Sequence, residues 1–401
     1  MLNVIIVAVS LIVGGYLAFS KRLAASKSWK ATVTPLASIM GSGFLVSAPL
    51  LASIVGNLAV VCMAILLVLA YMVGGAIRFN IRHFEPIEKD GEGPAQIVAF
   101  LSRIVLVGAY FVTVTYYLEL LAAFLLKAVD VHSQVAANLI TCVFLLVIGG
   151  IGMLRGLSEL EVVEKYAVSF NLGMIAALLL SLAVYNVHTL AGGKWTLPSI
   201  SSDIDFHDLR VLLGLLIVVQ GFETSRYLGD EHPPDQRIAT MRAAQWISTV
   251  IYLVFISLAT VLFHEGFGAD VTAIIDMTKP VAVVLPALIA VAAMSSQFSA
   301  AVADNEGASG LIEEITQRRV PIRYAYLLIL LVTVVLAWSA NVNEIIAYAS
   351  RAFALYYALQ CAVAWLVAWQ LGPRRRKLQL VMFSCLTVIC FLVFALGLPT
   401  S

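Results

Sequence analysis

Apolar runs of about twenty residues, each long enough to cross a bilayer as a helix, recur along almost the whole chain between short polar segments. About twelve such spans are predicted, near Leu2–Phe19, Pro35–Val55, Asn57–Ile77, Ala95–Leu126, Val135–Leu154, Tyr166–Val187, Asp208–Leu228, Ala243–Phe263, Pro280–Ile315, Ile322–Ala340, Val342–Gln370 and Leu378–Leu398. Two of them are poor helices. The run "ASIMGSGFLVSAPLLA" (Ala37–Ala52) contains glycines and a proline, and "VVQGFETSRYLG" (Val218–Gly229) places Gln220, Gly221 and Glu223 at a comparable depth in its own span. Peptide groups freed from a helix in hydrocarbon are costly unless protein, water or a ligand satisfies them. Both segments are therefore predicted to break where a ligand binds.

Charge in the loops orients these spans. Lys21, Arg22, Lys27 and Lys30 follow the first apolar run instead of preceding it, so that run reads as a retained helix with its N-terminus outside, not a signal peptide. The loops then alternate. Arg78/Arg82/Lys89, Arg155/Lys165, Arg226/Arg237/Arg242, Arg318/Arg319/Arg323 and Arg374/Arg375/Arg376/Lys377 fall on one side, against Lys127, Lys194, Arg210 and Lys279 on the other. The basic side is expected in the cytoplasm of a multi-pass cell-membrane protein, with both termini outside. With the first span set aside, the unit that opens at Pro35 starts outward and the unit that opens at Asp208 starts inward. This is the signature of an inverted repeat of five-helix units. The predicted organisation is an extra N-terminal helix and cytoplasmic loop over 1–34, a first repeat over 35–190, a second over 205–371, and an extra C-terminal helix over 372–401.

Composition agrees with an all-α integral membrane protein: 61% of the 401 residues are hydrophobic and 12% charged. A net charge of +1, with basic residues spread along the chain, argues against a nucleic-acid partner. The cysteines (Cys62, Cys142, Cys361, Cys385, Cys390) sit in apolar runs without metal-ligand spacing and are expected as small buried side chains. The histidines fall in loops and at span ends, where solvation is expected. No Walker loop, HExxH or long soluble segment is present, so no enzyme is predicted and no cofactor beyond a coupling ion.

The candidate solute site follows from the two interruptions. A break at Gly41, Ser42 and Gly43 would turn bare N–H groups toward an anionic group of a small solute, facing Gln220, Gly221, Phe222 and Glu223 of the other half. The alternative is helix packing, with Gly43 and Ser47 one turn apart as small contacts. Phe44, Tyr110, Tyr117, Phe222 and Tyr356 are candidate walls. Intramembrane charges are expensive and imply function. Arg351 is expected to pair with Glu119 or Glu223, or to bind a solute carboxylate, while Glu119, Asp304 and Glu306 are candidates for coupling or gating.

These residues also carry a family resemblance. "QGFETSRYLGDE" resembles the sixth helix of amino acid permeases, while "ASIMGSGFL" and "AVAAMSSQFS" resemble the first and eighth core helices of sodium:solute symporters. Together they are similar to the LeuT-like fold of the amino acid–polyamine–organocation (APC) superfamily over the ten-helix core, Pro35 to Gln370. The resemblance implies a Na⁺ site at Ala37, Met40, Ala292, Ser295 and Ser296. Two adjacent serine hydroxyls one turn after Ala292 can supply oxygens to a dehydrated Na⁺, or can bond back to helix carbonyls. Ile39 stands where some of these symporters have an aspartate, and Lys165 lies at the start of its helix, not within it as in some proton-coupled permeases. The expectation is a secondary-active symporter coupling Na⁺ to uptake of an amino acid or small carboxylate. The alternatives are a proton-coupled permease, or a sensor or channel on the same fold.

Overall fold

The computed structural model describes residues 2–88, 91–155, 158–198, 200, 204–229, 232–264, 270–372 and 376–399, without the side chains of Ala24, Ser42, Arg155 and 158–165. Its described residues form helices and connecting turns. α1 (Leu2–Phe19) and the short α2 (Lys21–Ala25) precede α3 (Lys27–Val55), α4 (Ala59–His83), α5 (Pro94–Ala128), α6 (Gln134–Arg155) and α7 (Ser158–Ala191). The second half contains α8 (Phe206–Leu213), α9 (Pro234–Ala259), α10 (Ile274–Thr278), α11 (Leu285–Ile315), α12 (Ile322–Ser339), α13 (Val342–Gln370) and α14 (Lys377–Leu396). Ten stretches among the described residues are long and apolar enough to cross a membrane, one of them the joined run of α3 and α4. Those two helices divide at Gly56, whose φ of 51° favours glycine.

Local signals explain the boundaries. Ser26 caps α3 by accepting from Trp29 N, so that helix starts at Lys27, ahead of the predicted Pro35, and carries Pro35 and Pro49 within it. Reciprocal capping boxes open α8 (Asp205 and Asp208) and α13 (Asn341 and Glu344). α5 lies along α11 and α13, and α3 packs on α9 and on the segment after α8. The two flanking helices dock outside this core, α1 on α7 and α14 on α13.

The structure corrects one expectation directly: α3 is an unbroken α-helix through Gly41 and Gly43. Its glycine permits close approach instead. A Cβ on Gly43 would lie 2.5 Å from Val218 Cα, and one on Gly221 would lie 2.5 Å from Ser38 Oγ and 2.7 Å from Ile39 N. Of the two predicted breaks, the one in the second half is present. There α8 stops at Leu213, a 3-10 turn covers Leu216–Val219, Gln220 is extended, Gly221 has φ 113°, and a second 3-10 stretch covers Phe222–Tyr227. Two smaller expectations also change. Cys385 is exposed and Cys142 half-buried, while His232 is buried, with its carbonyl accepting from Arg237 Nε at 3.1 Å.

Candidate functional site

The peptide groups freed at the break are satisfied by side chains from neighbouring helices. Ser350 of α13 accepts from Ile217 N (2.9 Å) and donates to Gly214 O (2.6 Å), replacing helix hydrogen bonds at the end of α8. The Tyr252 hydroxyl of α9 sits between Val218 O (2.5 Å) and Ile39 O (3.1 Å), joining α3 to the broken segment. Glu223 folds back onto the break: its Oε2 accepts from Gly221 N (3.0 Å) and from the Tyr357 hydroxyl (2.7 Å). Gln220 Nε2 donates to the Tyr117 hydroxyl at 3.1 Å, and Phe222 stacks on Tyr357 with centroids 5.2 Å apart.

A second carboxylate shares this interior. Thr113 of α5 donates to Asp304 of α11, and Tyr110 and Tyr117 lie in the electrostatic field of both Asp304 and Glu223. Tyr110 is edge-on to Phe353 (6.2 Å), and Gly307 makes room for its ring, since a Cβ there would lie 3.3 Å from Tyr110 Cε2. Glu223 is 1% exposed, and Gln220, Phe222, Tyr117 and Tyr357 are equally buried, so the constellation is closed to solvent from both sides. Among the described residues no lysine, arginine or histidine forms an ion pair with Glu223.

Ionic contacts tie the helices at each end. On the basic side, Arg226, just past the break, bonds to Gln360 and lies 3.5 Å from Glu88. Gln360 also donates to Ser102 Oγ (2.8 Å) and accepts from Asn80 Nδ2 (3.0 Å). Arg237 grips Glu85 through two bonds of 3.1 and 2.6 Å and donates to Arg226 O (2.7 Å), while Arg103 joins Glu314 at 2.7 Å. At the opposite end Lys127 closes α5 onto Asp276 (2.6 Å) and Asp270 (3.7 Å), and Lys279 reaches Asp276 at 2.6 Å. Burial alone would raise the Asp276 carboxyl, but the hydrogen bonds from Lys127 and Lys279 outweigh it and hold that group below its usual range.

Among the residues expected from sequence, Tyr117, Gln220, Gly221, Phe222, Glu223 and Asp304 converge on this interior. Arg351 does not: its Nε donates to Phe394 O (2.7 Å), so it caps the end of α14 and pairs with neither Glu119 nor Glu223. Phe44 belongs to the packing of α3 on α9, 4.4 Å from Phe255 and 5.4 Å from Tyr252 between centroids. Gly41 O accepts from Gln297 Nε2 (3.0 Å), and the Ser42 side chain lies outside the described residues. Ser296 does meet α3, within 3.2 Å of where a Gly41 Cβ would stand, and its Oγ accepts from Asn171 Nδ2 at 3.3 Å. Ala37 and Met40 lie within unbroken α3, where carbonyls serve the helix ladder; Ala292 is buried and Ser295 half-buried. Glu119 is 2% exposed, and both its oxygens are buried without a hydrogen-bond partner. Glu306 is half-buried, within electrostatic range of Tyr326. Thr113, Asn171, Tyr252, Gln297, Tyr357 and Gln360 were missed, although single amides in mid-span, as at Gln297 and Gln360, are a readable sign of polar contacts between helices.

Residues 21–397 match the sequence profile of APC superfamily transporters. The chain belongs to the APC superfamily. An uncharacterized protein of Aquifex aeolicus (strain VF5) is 43% identical to it over 392 residues, 95% of this chain and 94% of that protein. Solved structures of variants of the Eremococcus coleocola manganese transporter share its fold, with TM-scores of 0.61 at 14% identity over 92% of this chain and 87% of theirs. This APC transporter is thus a multi-pass membrane protein with a LeuT-like arrangement of helices, and the resemblance read from its motifs holds.

Proposed function

We propose that this transporter carries a small amine-bearing solute, amino acids included, in symport with protons, through the closed site around Gln220–Glu223. The observation that carries this reading is the position of Glu223. Its carboxylate already occupies the place where an anionic solute group would dock, on Gly221 N and the Tyr357 hydroxyl, with no cation beside it. A solute carboxylate would compete with Glu223, whereas a solute ammonium complements it. The Phe222 and Tyr357 rings add a cation–π surface of about 0.5–2 kcal/mol.

The same geometry supports the proton over Na⁺. A carboxylate held out of water costs several kcal/mol until a positive charge neutralises it, and this interior holds two such groups. Glu223 can take the solute ammonium while Asp304, bonded by Thr113, takes the proton, so that both move inward in the same step. The Na⁺ set of Ala37, Met40, Ala292, Ser295 and Ser296 would need carbonyls that α3 uses internally and a hydroxyl that Asn171 engages. Opening the basic-side contacts of Arg226 and Gln360 would expose the site inward, and opening Lys127–Asp276 would expose it outward. One charge moved across about 100 mV supplies roughly 2.3 kcal/mol toward accumulation.

Purified protein in sealed proteoliposomes tests this with a panel of amines, amino acids, small carboxylates and Mn²⁺, under an imposed pH gradient or an imposed Na⁺ gradient. Uptake of an amine-bearing solute in Na⁺-free buffer under the pH gradient is the expected result. Glu223→Gln should lower that uptake by about tenfold or more, the loss of a charged hydrogen-bonding partner, with the melting temperature retained. Uptake that requires Na⁺, or that selects carboxylates or Mn²⁺, would overturn it.

A further inference from the structure

Away from the solute site, α4 and α9 present an arrangement that transport does not use. Arg78 is only 8% exposed, yet among the described residues it has no carboxylate within ion-pair distance. Its guanidinium turns back along α4, donating to Gln245 Oε1 and to Tyr71 O (3.2 Å), with its carbon 4.8 Å from the centre of the Tyr71 ring. Gln245 is held by donating to Ala70 O (2.9 Å), and Gly74 lets it approach, since a Cβ there would meet the Gln245 amide at 2.5 Å. Arg242 of α9, exposed about one turn before the Gln245 that Arg78 engages, is a second cation on this seam, and among the described residues it too has no carboxylate within ion-pair distance. A buried arginine without an anion is costly at a membrane boundary, and the exposed Arg242 adds a second positive charge to the same seam.

We propose that Arg78 and Arg242 hold the phosphate headgroup of an anionic lipid on the lipid-facing seam between the end of α4 and the start of α9, on the basic side of the membrane. The sequence of α9 places this pair at headgroup depth. Its polar start, Pro234–Arg242, gives way to an apolar run at Ala243, and Trp246 follows Arg242 by one turn, 56% exposed and 5.5 Å from the Tyr71 ring. Exposed tryptophan and tyrosine mark the interfacial belt, and arginine forks suit phosphate oxygens. Trp246, Val250 and Val254 stand exposed at four-residue intervals, so one face of α9 continues from the arginines as an apolar strip for an acyl chain. That strip favours a lipid over a soluble phosphate. The proposal is independent of the solute and coupling ion.

The test uses the purified full chain in phosphatidylcholine nanodiscs containing graded phosphatidylglycerol, with bound lipid counted by native mass spectrometry and stability read by melting. Arg242 makes no hydrogen bond among the described residues, so Arg242→Gln should fold as the parent does while weakening phosphatidylglycerol retention about fivefold, the effect of one basic residue at an anionic surface. Arg78→Lys should also weaken it by losing the fork, Arg242→Lys should retain most of it, and Arg323→Gln, an exposed basic position on α12, should leave it unchanged. Parental retention in Arg242→Gln would overturn the site. So would an equal loss in Arg323→Gln, which would mean diffuse surface charge, or equal stabilisation by inorganic phosphate, which would mean a soluble ligand.

Discussion

Replacing Gly221 by alanine tests the join between α3 and the broken segment. Gly221 has φ 113°, where an L side chain is strained by about 1–3 kcal/mol. Its new Cβ would also lie 2.5 Å from Ser38 Oγ and 2.7 Å from both Ile39 N and Ser38 C. Two of those three neighbours are backbone atoms of a continuous helix, so they cannot swing aside, and overpacking of this kind costs about 1–3 kcal/mol. Together the two effects predict a loss of about 2–6 kcal/mol. Gly108→Ala on α5 is the matched control. Nothing lies within 4 Å of its Cβ, so helix propensity should make it neutral or stabilising by about 0.5–1 kcal/mol. The assay is denaturant or thermal unfolding of the purified variants in one detergent, with solute binding measured on the same samples. Gly221→Ala with parental stability would refute the reasoning, because it would mean that α3 and the break do not touch at Ser38 and Ile39.

Other consequences are also measurable. The depressed Asp276 carboxyl contributes stability that is present above the ordinary carboxylate range and lost as pH falls through its lowered value, so acid melting should flatten in Asp276→Asn; identical pH profiles would remove the Lys127–Asp276 latch. Gln360→Leu removes a hydrogen-bonding partner of Arg226, Asn80 and Ser102 and should cost about 1.5–3 kcal/mol in unfolding; no loss would mean that Glu88 alone holds Arg226. The charge-derived orientation predicts that, on a cysteine-free background, Lys194→Cys labels from outside intact cells and Gln236→Cys does not, and the reverse labelling would invert the topology.

The spans were legible because hydrocarbon thickness imposes one length on every helix, and the break at Gly221 was legible because Gln220 and Glu223 flank it with polar groups that a lipid-facing helix would not carry. Gly43 misled for a physical reason. A glycine that lets Val218 approach and a glycine that frees a peptide group look alike until the neighbouring chain is in place. Arg351 misled differently: sequence displays the charged side chains that could answer an arginine, but its partner is the backbone carbonyl of Phe394, more than forty residues away. Thr113 and Tyr357 are ordinary helix residues, and only the crossings of α5 with α11, and of α13 with the broken segment, turn them toward Asp304 and Glu223.

The central claim is that two buried carboxylates, Glu223 for the solute cation and Asp304 for the proton, couple solute uptake to proton entry. Its most direct measurement is internal acidification of proteoliposomes loaded with a pH-sensitive dye, in Na⁺-free buffer, on adding the amine-bearing solute outside. The parent should acidify the lumen only when solute is present, and Glu223→Gln should not, at equal protein incorporation. Solute uptake without acidification, or acidification unchanged in Glu223→Gln, would contradict the account.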